Sequence, residues 1–287
     1  MASKTIRKLL RYIPLCIKSA RYTILALLFD RGTLFRLRNK RDIKQFIYFS
    51  AFHKIYRGKL QPIDKIQNKI LVAQGAETTV YPIKHLDEPT IPPIQVQSHN
   101  LYVAQINSAI ALGRSLNVFS RGLLYNELLS IAQDHPNHFV SDRGLVIFNE
   151  RVVRLGDCYW LLTRRCAPII VEDAISLLSH YSWNYYHFIY EVVSKLYTLS
   201  FTQIDDNTQY LLSSHIRDCA SMHAMINLFV PDEHIVWVED YQVVKAKRLT
   251  FCSCPNIITP NFYDIKQCEY SDIYFNKEAL LYVRTIV

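Results

Sequence analysis

The chain has 287 residues, half of them hydrophobic and 13% aromatic, with a formal charge of +8. That is enough apolar material for one large α/β domain or two smaller ones, and it excludes a disordered tail. Only 7 residues are glycine, and they form no cluster that would bring backbone amides up to a phosphate, so a Gly-rich nucleotide-binding loop is excluded. Residues 1–60 hold 15 Lys and Arg against 2 acidic residues, while the remainder holds 18 against 23, so a uniformly basic nucleic-acid surface is not expected and a local basic end is.

In that basic end, residues 3–29 place Ile6, Leu9, Leu10, Ile13, Ile17, Ala20, Ile24, Leu27 and Leu28 at helical spacing, with Lys4, Arg7, Lys8, Arg11, Lys18 and Arg21 between them. Lys18 and Arg21 interrupt any candidate membrane span, and the uncharged run that follows is too short to cross a bilayer. Two readings stay open: a basic amphipathic helix resting on an anionic membrane surface, or a helix packing its apolar stripe on the domain. Pro14 bends or restarts it. The stretch contains no recognisable DNA or RNA module.

Seven cysteines, Cys16, Cys158, Cys166, Cys219, Cys252, Cys254 and Cys268, form no dense framework, and no Asn-x-Ser/Thr sequon is present. Both fit a reducing, cytoplasmic setting. Cys252 and Cys254, with Cys268 and His234 as conceivable companions, supply only half the paired spacing of a structural zinc site, so buried thiols and no metal are expected.

From about residue 60 onward, short β-like runs follow one another at 69–74, 101–106, 116–120, 144–148 and 158–163, with the proline-rich connector 88–96 between them. Beyond residue 180 the pattern alternates. Helix over NYYHFIYEVVSKLYTL, strand over QYLLSS, helix over DCASMHAMINLF and strand over HIVWV predict a parallel, doubly wound sheet.

The segment SHYSWNYYHFIYEVVSKLYTLS, residues 179–200, carries the chemistry. A helix starting near Ser182 to Asn184 buries Tyr185, Phe188, Ile189, Val192, Leu196 and Leu199 as one stripe. Asn184, His187 and Glu191 fall on a neighbouring strip at i, i+3 and i+7. A carboxylate one turn beyond an imidazole can fix its tautomer and raise its basicity, as a base acting on a hydroxyl needs. The same pair also serves as a structural contact in many helices.

This segment resembles the signature of glycosyltransferase family 61, a family of capsule biosynthesis. Asn184, Tyr185, Tyr186 and His187 match the family's Asn-Tyr-Tyr-His, Phe188 stands for its usual Trp, Glu191 takes the acid's place, Leu196 closes the motif, and Ser194 and Lys195 replace a Pro-Arg pair. Residues 102–129 and 234–260 resemble flanking parts of the family, and ALLYVRT at 279–285 resembles a strand ending in the arginine that opens its second domain. The similarity covers about residues 65–287.

The resemblance implies an α/β fold: the Rossmann-like, acceptor-side half of a two-domain GT-B-type glycosyltransferase, with an N-terminal β-rich region and the basic amphipathic helix. Its divisions are a basic segment over 1–60, the acceptor-side domain over 61–278, and the start of a nucleotide-sugar domain over 279–287. The expected activity moves a sugar from a nucleotide donor to a surface or capsular glycan with inversion, at the cytoplasmic face of the inner membrane, using no cofactor and no metal. His187 is the expected base and Glu191 its orienting partner. Asn184, Tyr185, Tyr186 and Trp183 are expected at the acceptor, and Arg284 at donor phosphate. The family's arginine-rich run and His-Gly-Ala segment are expected after Arg284, whereas the sequence stops at Val287. That implies an interrupted transferase with a possible separately encoded C-terminal half, or a non-catalytic remnant that binds glycan or a partner.

Overall fold

The longest described strand is the hub of the sheet. In the computed structural model, which describes residues 54–62, 65–80, 93–126, 140–141, 144–145, 152–155, 158–163, 166–258 and 273–286, strand β5 covers Leu101–Leu112. One edge of β5 pairs antiparallel along β15, Val243–Cys252. The other edge is shared by β2, Lys69–Ala73, and β6, Asn117–Ser120. Beyond β6 the sheet continues through β7 (Leu123–Asn126), β1 (Lys54–Pro62), β11 (Cys158–Thr163) and β10 (Val152–Leu155). Beyond β15 it continues through β12 (Ile169–Ser176), β13 (Gln209–Ser213) and β14 (Ile235–Val238). The block β15-β12-β13-β14 is parallel throughout, while the other half is antiparallel except where β1 meets β7.

The three central strands share one irregularity. Lys247 is skipped by both of its ladders, which pass from Val171↔Ala246 to Asp173↔Arg248 and from Ala246↔Ala109 to Arg248↔Asn107. Opposite it, Ser108 has a left-handed φ of 54°. On either side of this level the strands face one core with opposite parity: Ala104 and Ile106 against Ala109 and Ala111, Val244 and Ala246 against Leu249 and Phe251, and Val171 against Ala174. Successive side chains of a strand point to opposite faces, so a change of parity requires a residue that belongs to neither register. Exposed Lys247 and Glu172 pair there at 2.9 Å, Arg248 bonds Asp173, and Ser120 Oγ donates to the Asn107 carbonyl at 2.8 Å.

The second core lies under the helices. Asn184 starts them, its Oδ1 accepting from the Tyr186 amide at 3.0 Å. Helix α1 (Tyr185–His187) runs into a π turn (Phe188–Val193) and then α2 (Lys195–Leu199). After β13 come α3 (Ser214–Asp218) and α4 (Ala220–Ile226), and the last described element is α5 (Lys277–Ile286). Phe188, Val192, Val193, Leu196, Leu199, Ile216, Met222, Ile226 and Val283 form one core with Ile175 and Leu212 of the sheet and with Leu177 just beyond β12. None of these helical residues belongs to the core on the other side of the sheet.

The described helices pack into one core on one face, and the described part of the chain is mixed α/β with a parallel block. Three expectations are corrected. The segment 279–285 is helix, because Ala279 and Val283 are buried one turn apart and Asn276 Oδ1 caps the Ala279 amide at 3.0 Å. A division at residue 60 falls inside β1, which is paired on both sides. Tyr185 is 44% exposed, because a helix starting at Asn184 aims its first turn away from the core that Phe188 enters. The stretch 3–29 and most of the connector 88–96 lie outside the described residues. Among the described residues no helix is long and apolar enough to cross a membrane.

Gly113 closes β5 where the chain from β14 returns to β15. It donates to the Gln242 carbonyl and accepts from the Tyr241 amide, both at 3.0 Å. A Cβ at this position would run into the Glu239 carbonyl oxygen, and backbone cannot move aside as a flexible side chain would. Gly113→Ala is expected to cost about 1–3 kcal/mol, read as a lower urea midpoint with an unchanged slope.

Candidate active site

The parallel block ends its strands on one edge, and the side chains that follow them meet there. His180, Tyr181 and Trp183 follow β12, His215 follows β13 and Asp240 follows β14, while Arg114 reaches the same place from the end of β5. In open α/β sheets this carboxyl edge is where ligands bind, because the loops that leave it can diverge without disturbing the strands.

At its centre is the pair expected from the sequence. His187 Nδ1 lies 2.8 Å from Glu191 Oε1, and Ser179 Oγ donates to Glu191 Oε2. The imidazole and the carboxylate are 15% and 12% exposed as side chains, and Ser179 is fully buried. With a carboxylate against it, Nδ1 carries the proton, which leaves Nε2 as the nitrogen able to accept one. The His187 ring sits between Tyr181, at 4.9 Å between centroids, and Tyr186, edge-on at 5.7 Å. Burial first, and then the neighbouring Tyr190 and Glu191, push the Tyr186 phenol above its ordinary value.

The π turn sets this geometry from the other side. The Ser194 amide reaches back five residues to the Ile189 carbonyl at 3.1 Å, so the Tyr190 carbonyl loses the partner that an α-helix would give it. Side chains replace that partner: Ser194 Oγ at 2.5 Å, Asn256 Nδ2 at 2.8 Å and Cys254 Sγ at 3.3 Å. Asn256 Oδ1 in turn accepts from the Asn276 amide at 2.8 Å. One turn beyond Glu191, the fully buried Lys195 donates to the Leu178 carbonyl at 3.3 Å, so two residues of this helix hold the strand exit at Leu178 and Ser179.

The other sequence-predicted residues divide. Trp183 and Tyr186 are exposed, at 50% and 42%; Tyr186 lies against His187, while the described contact of Trp183 is with Arg114. The Tyr186 ring packs tilted against Tyr190 at 4.6 Å between centroids, and Tyr190 tilted against Phe275 at 4.5 Å. Asn184 spends its carbonyl oxygen on the cap. Arg284 is exposed on α5, whose Tyr282 packs on Tyr197 of α2, and no described contact joins it to His187. Cys252 and Cys254 are buried, Cys254 as the donor above. Cys268 lies outside the described residues. Among the described residues no three His, Cys, Asp or Glu side chains gather as a metal site.

Sequence reasoning missed Ser179, Arg114, Asp240, His215 and Asn256. The first four follow strands, and the rule that strand ends carry function would have flagged three of them had β12 been recognised. Arg114 has φ 59° and Tyr241 φ 61°, left-handed conformations of order 1–3 kcal/mol for such residues, and no sequence pattern announces them.

Asn256→Ala removes the link between the Tyr190 carbonyl and the Asn276 amide. At about 1 kcal/mol for each buried hydrogen bond it is expected to cost about 2 kcal/mol, measured by urea denaturation. No family model, curated protein or solved structure matches this chain.

Proposed function

We propose that this chain activates the acceptor in a sugar-transfer reaction. The observation that carries the reading is the buried Ser179–Glu191–His187 relay with the exposed Tyr186 ring edge-on against its imidazole. His187 Nε2 takes the proton from a glycan hydroxyl, whose oxygen forms a bond to the anomeric carbon as the bond from that carbon to the donor's diphosphate breaks. The configuration inverts, and the leaving group departs with the bonding electrons. Glu191 stabilises the imidazolium that forms, and Ser179 keeps the carboxylate in place. Cationic groups must stabilise the leaving diphosphate, and the second domain of family 61 supplies arginines of that kind.

The segment around His187 and its likeness to family 61 support a capsular or surface polysaccharide as the acceptor. They also support a Rossmann-like half of a GT-B architecture for the parallel block, and a peripheral place at an anionic inner membrane for the basic N-terminal stretch. A non-catalytic glycan-binding module is the second reading, and the exposed rings of Trp183, Tyr185 and Tyr186 favour it, since stacking on sugar needs no base.

The test follows transfer from UDP-glucose, UDP-galactose, UDP-N-acetylglucosamine and GDP-mannose to a capsular oligosaccharide pool. His187→Asn is expected to lower transfer by about 10²- to 10⁴-fold while acceptor binding is retained, with Glu191→Gln falling between it and wild type. Equal rates for wild type and His187→Asn would remove His187 as the base. Acceptor binding without transfer from any donor would leave the binding module.

A further inference from the structure

Beside His187, four side chains from four different strand ends form a second polar cluster. Asp240 accepts from Arg114 Nη1 on Oδ2 at 3.0 Å and contacts His215 Nε2 through Oδ1 at 3.0 Å. Arg114 Nε also donates to the His180 carbonyl at 3.3 Å, and its guanidinium carbon lies 5.9 Å from the centre of the Trp183 ring. The cluster is continuous with the proposed base: the His180 ring packs tilted against Tyr181 at 4.1 Å between centroids, and Tyr181 tilted against His187.

The arrangement has the chemistry of a polyol site. A guanidinium against an indole fixes the orientation of the ring, and Trp183 still leaves half its surface in solvent. The faces of an aromatic ring suit the apolar C–H face of a pyranose, and a neighbouring carboxylate suits its hydroxyls. Asp240 uses one direction on each oxygen for Arg114 and His215, and each carboxylate oxygen has a second lone pair with which to accept a hydroxyl. Charge within the cluster is nearly balanced, which favours a hydroxylated ring over a bare phosphate. The backbone is specified too: Arg114 and Tyr241, which flank the cluster, are held left-handed, and Gly113 between their segments admits no side chain. Such conformations persist where surrounding contacts over-determine them, as ligand clamps do.

We infer that Trp183, Asp240, Arg114 and His215 form a carbohydrate subsite that holds the pyranose ring adjoining the one presented to His187. Trp183 is the stacking platform, Asp240 the hydroxyl acceptor, and Arg114 and His215 are positioning residues that set the carboxylate and the indole. The assignment rests on reading this edge as the glycan-facing side of the protein, and it does not depend on His187 acting as a base.

Saturation-transfer NMR on the full chain tests it, with cellohexaose and trigalacturonate as neutral and anionic pyranose probes at about 10 mM, above the millimolar range expected of a single stacked subsite. The expected result is transfer to at least one probe, lost or weakened about tenfold in Trp183→Ala, weakened in Asp240→Asn, and kept in Trp183→Phe and His187→Asn. No transfer to either probe from the folded wild type overturns the subsite. So does binding by Trp183→Ala and Asp240→Asn equal to that of wild type. Binding that depends on Trp183 in a protein without sugar-transfer activity upholds the subsite and removes only the catalytic reading.

Discussion

Three hydrogen-bonded strands cannot change the facing of their side chains independently, because paired residues share one pleat. In this protein β5, β12 and β15 change together at Ser108, Glu172 and Lys247, and the rest of the fold depends on that common step. Without it, either the half of β12 that bears Val171 or the half that bears Ala174 would turn its side chains away from the core they both line. The charges at the step, Glu172 with Lys247 and Asp173 with Arg248, stand at the surface and add little stability as ion pairs. They are tolerated because these positions belong to neither half's inward register. Beyond the step, β12 continues to Ser176 and delivers Ser179 to the carboxyl edge.

The helix that answers it has an irregularity of the same kind. Its π turn inserts one residue between a half that carries His187 and Glu191 and a half that carries Lys195, Leu196 and Leu199. Val192 and Val193 are both fully buried because the inward stripe shifts by one position there. The stripe can pack on Ile175, Leu177 and Leu212 while Glu191 reaches Ser179 and Lys195 reaches the Leu178 carbonyl. A regular α-helix would present only one of these sets at its best angle.

Part of the fold and of the site was legible in the sequence. The strand at 101–106, the cap at Asn184, the pairing of His187 with Glu191, and the strands over QYLLSS and HIVWV follow from alternation, capping chemistry and helical spacing. The two strands in the middle of the sheet were not legible. IIVEDAIS and VVKAKRLTFC each carry two consecutive charges at the point where parity changes, which destroys the alternation that identifies a half-buried strand. The run at 279–285 misled in the opposite sense: a short apolar segment reads equally well as strand or helix, and only the burial of Ala279 with Val283 decides it. The partner of Trp183 and those of the Tyr190 carbonyl, Cys254 and Asn256, come from residues far away in sequence, so no local pattern could place them.

The Tyr190 carbonyl, released by the π turn, is grasped by Asn256, and Asn256 grasps the amide of Asn276, whose own side chain opens α5. Three links of hydrogen bonding thus run from the residue before Glu191 to the last described helix, with no flexible side chain longer than an asparagine among them. Mechanically this is a short, stiff tie rod. The first turn of α5 and the turn that carries the carboxylate behind His187 therefore hang on one hydrogen-bonded path.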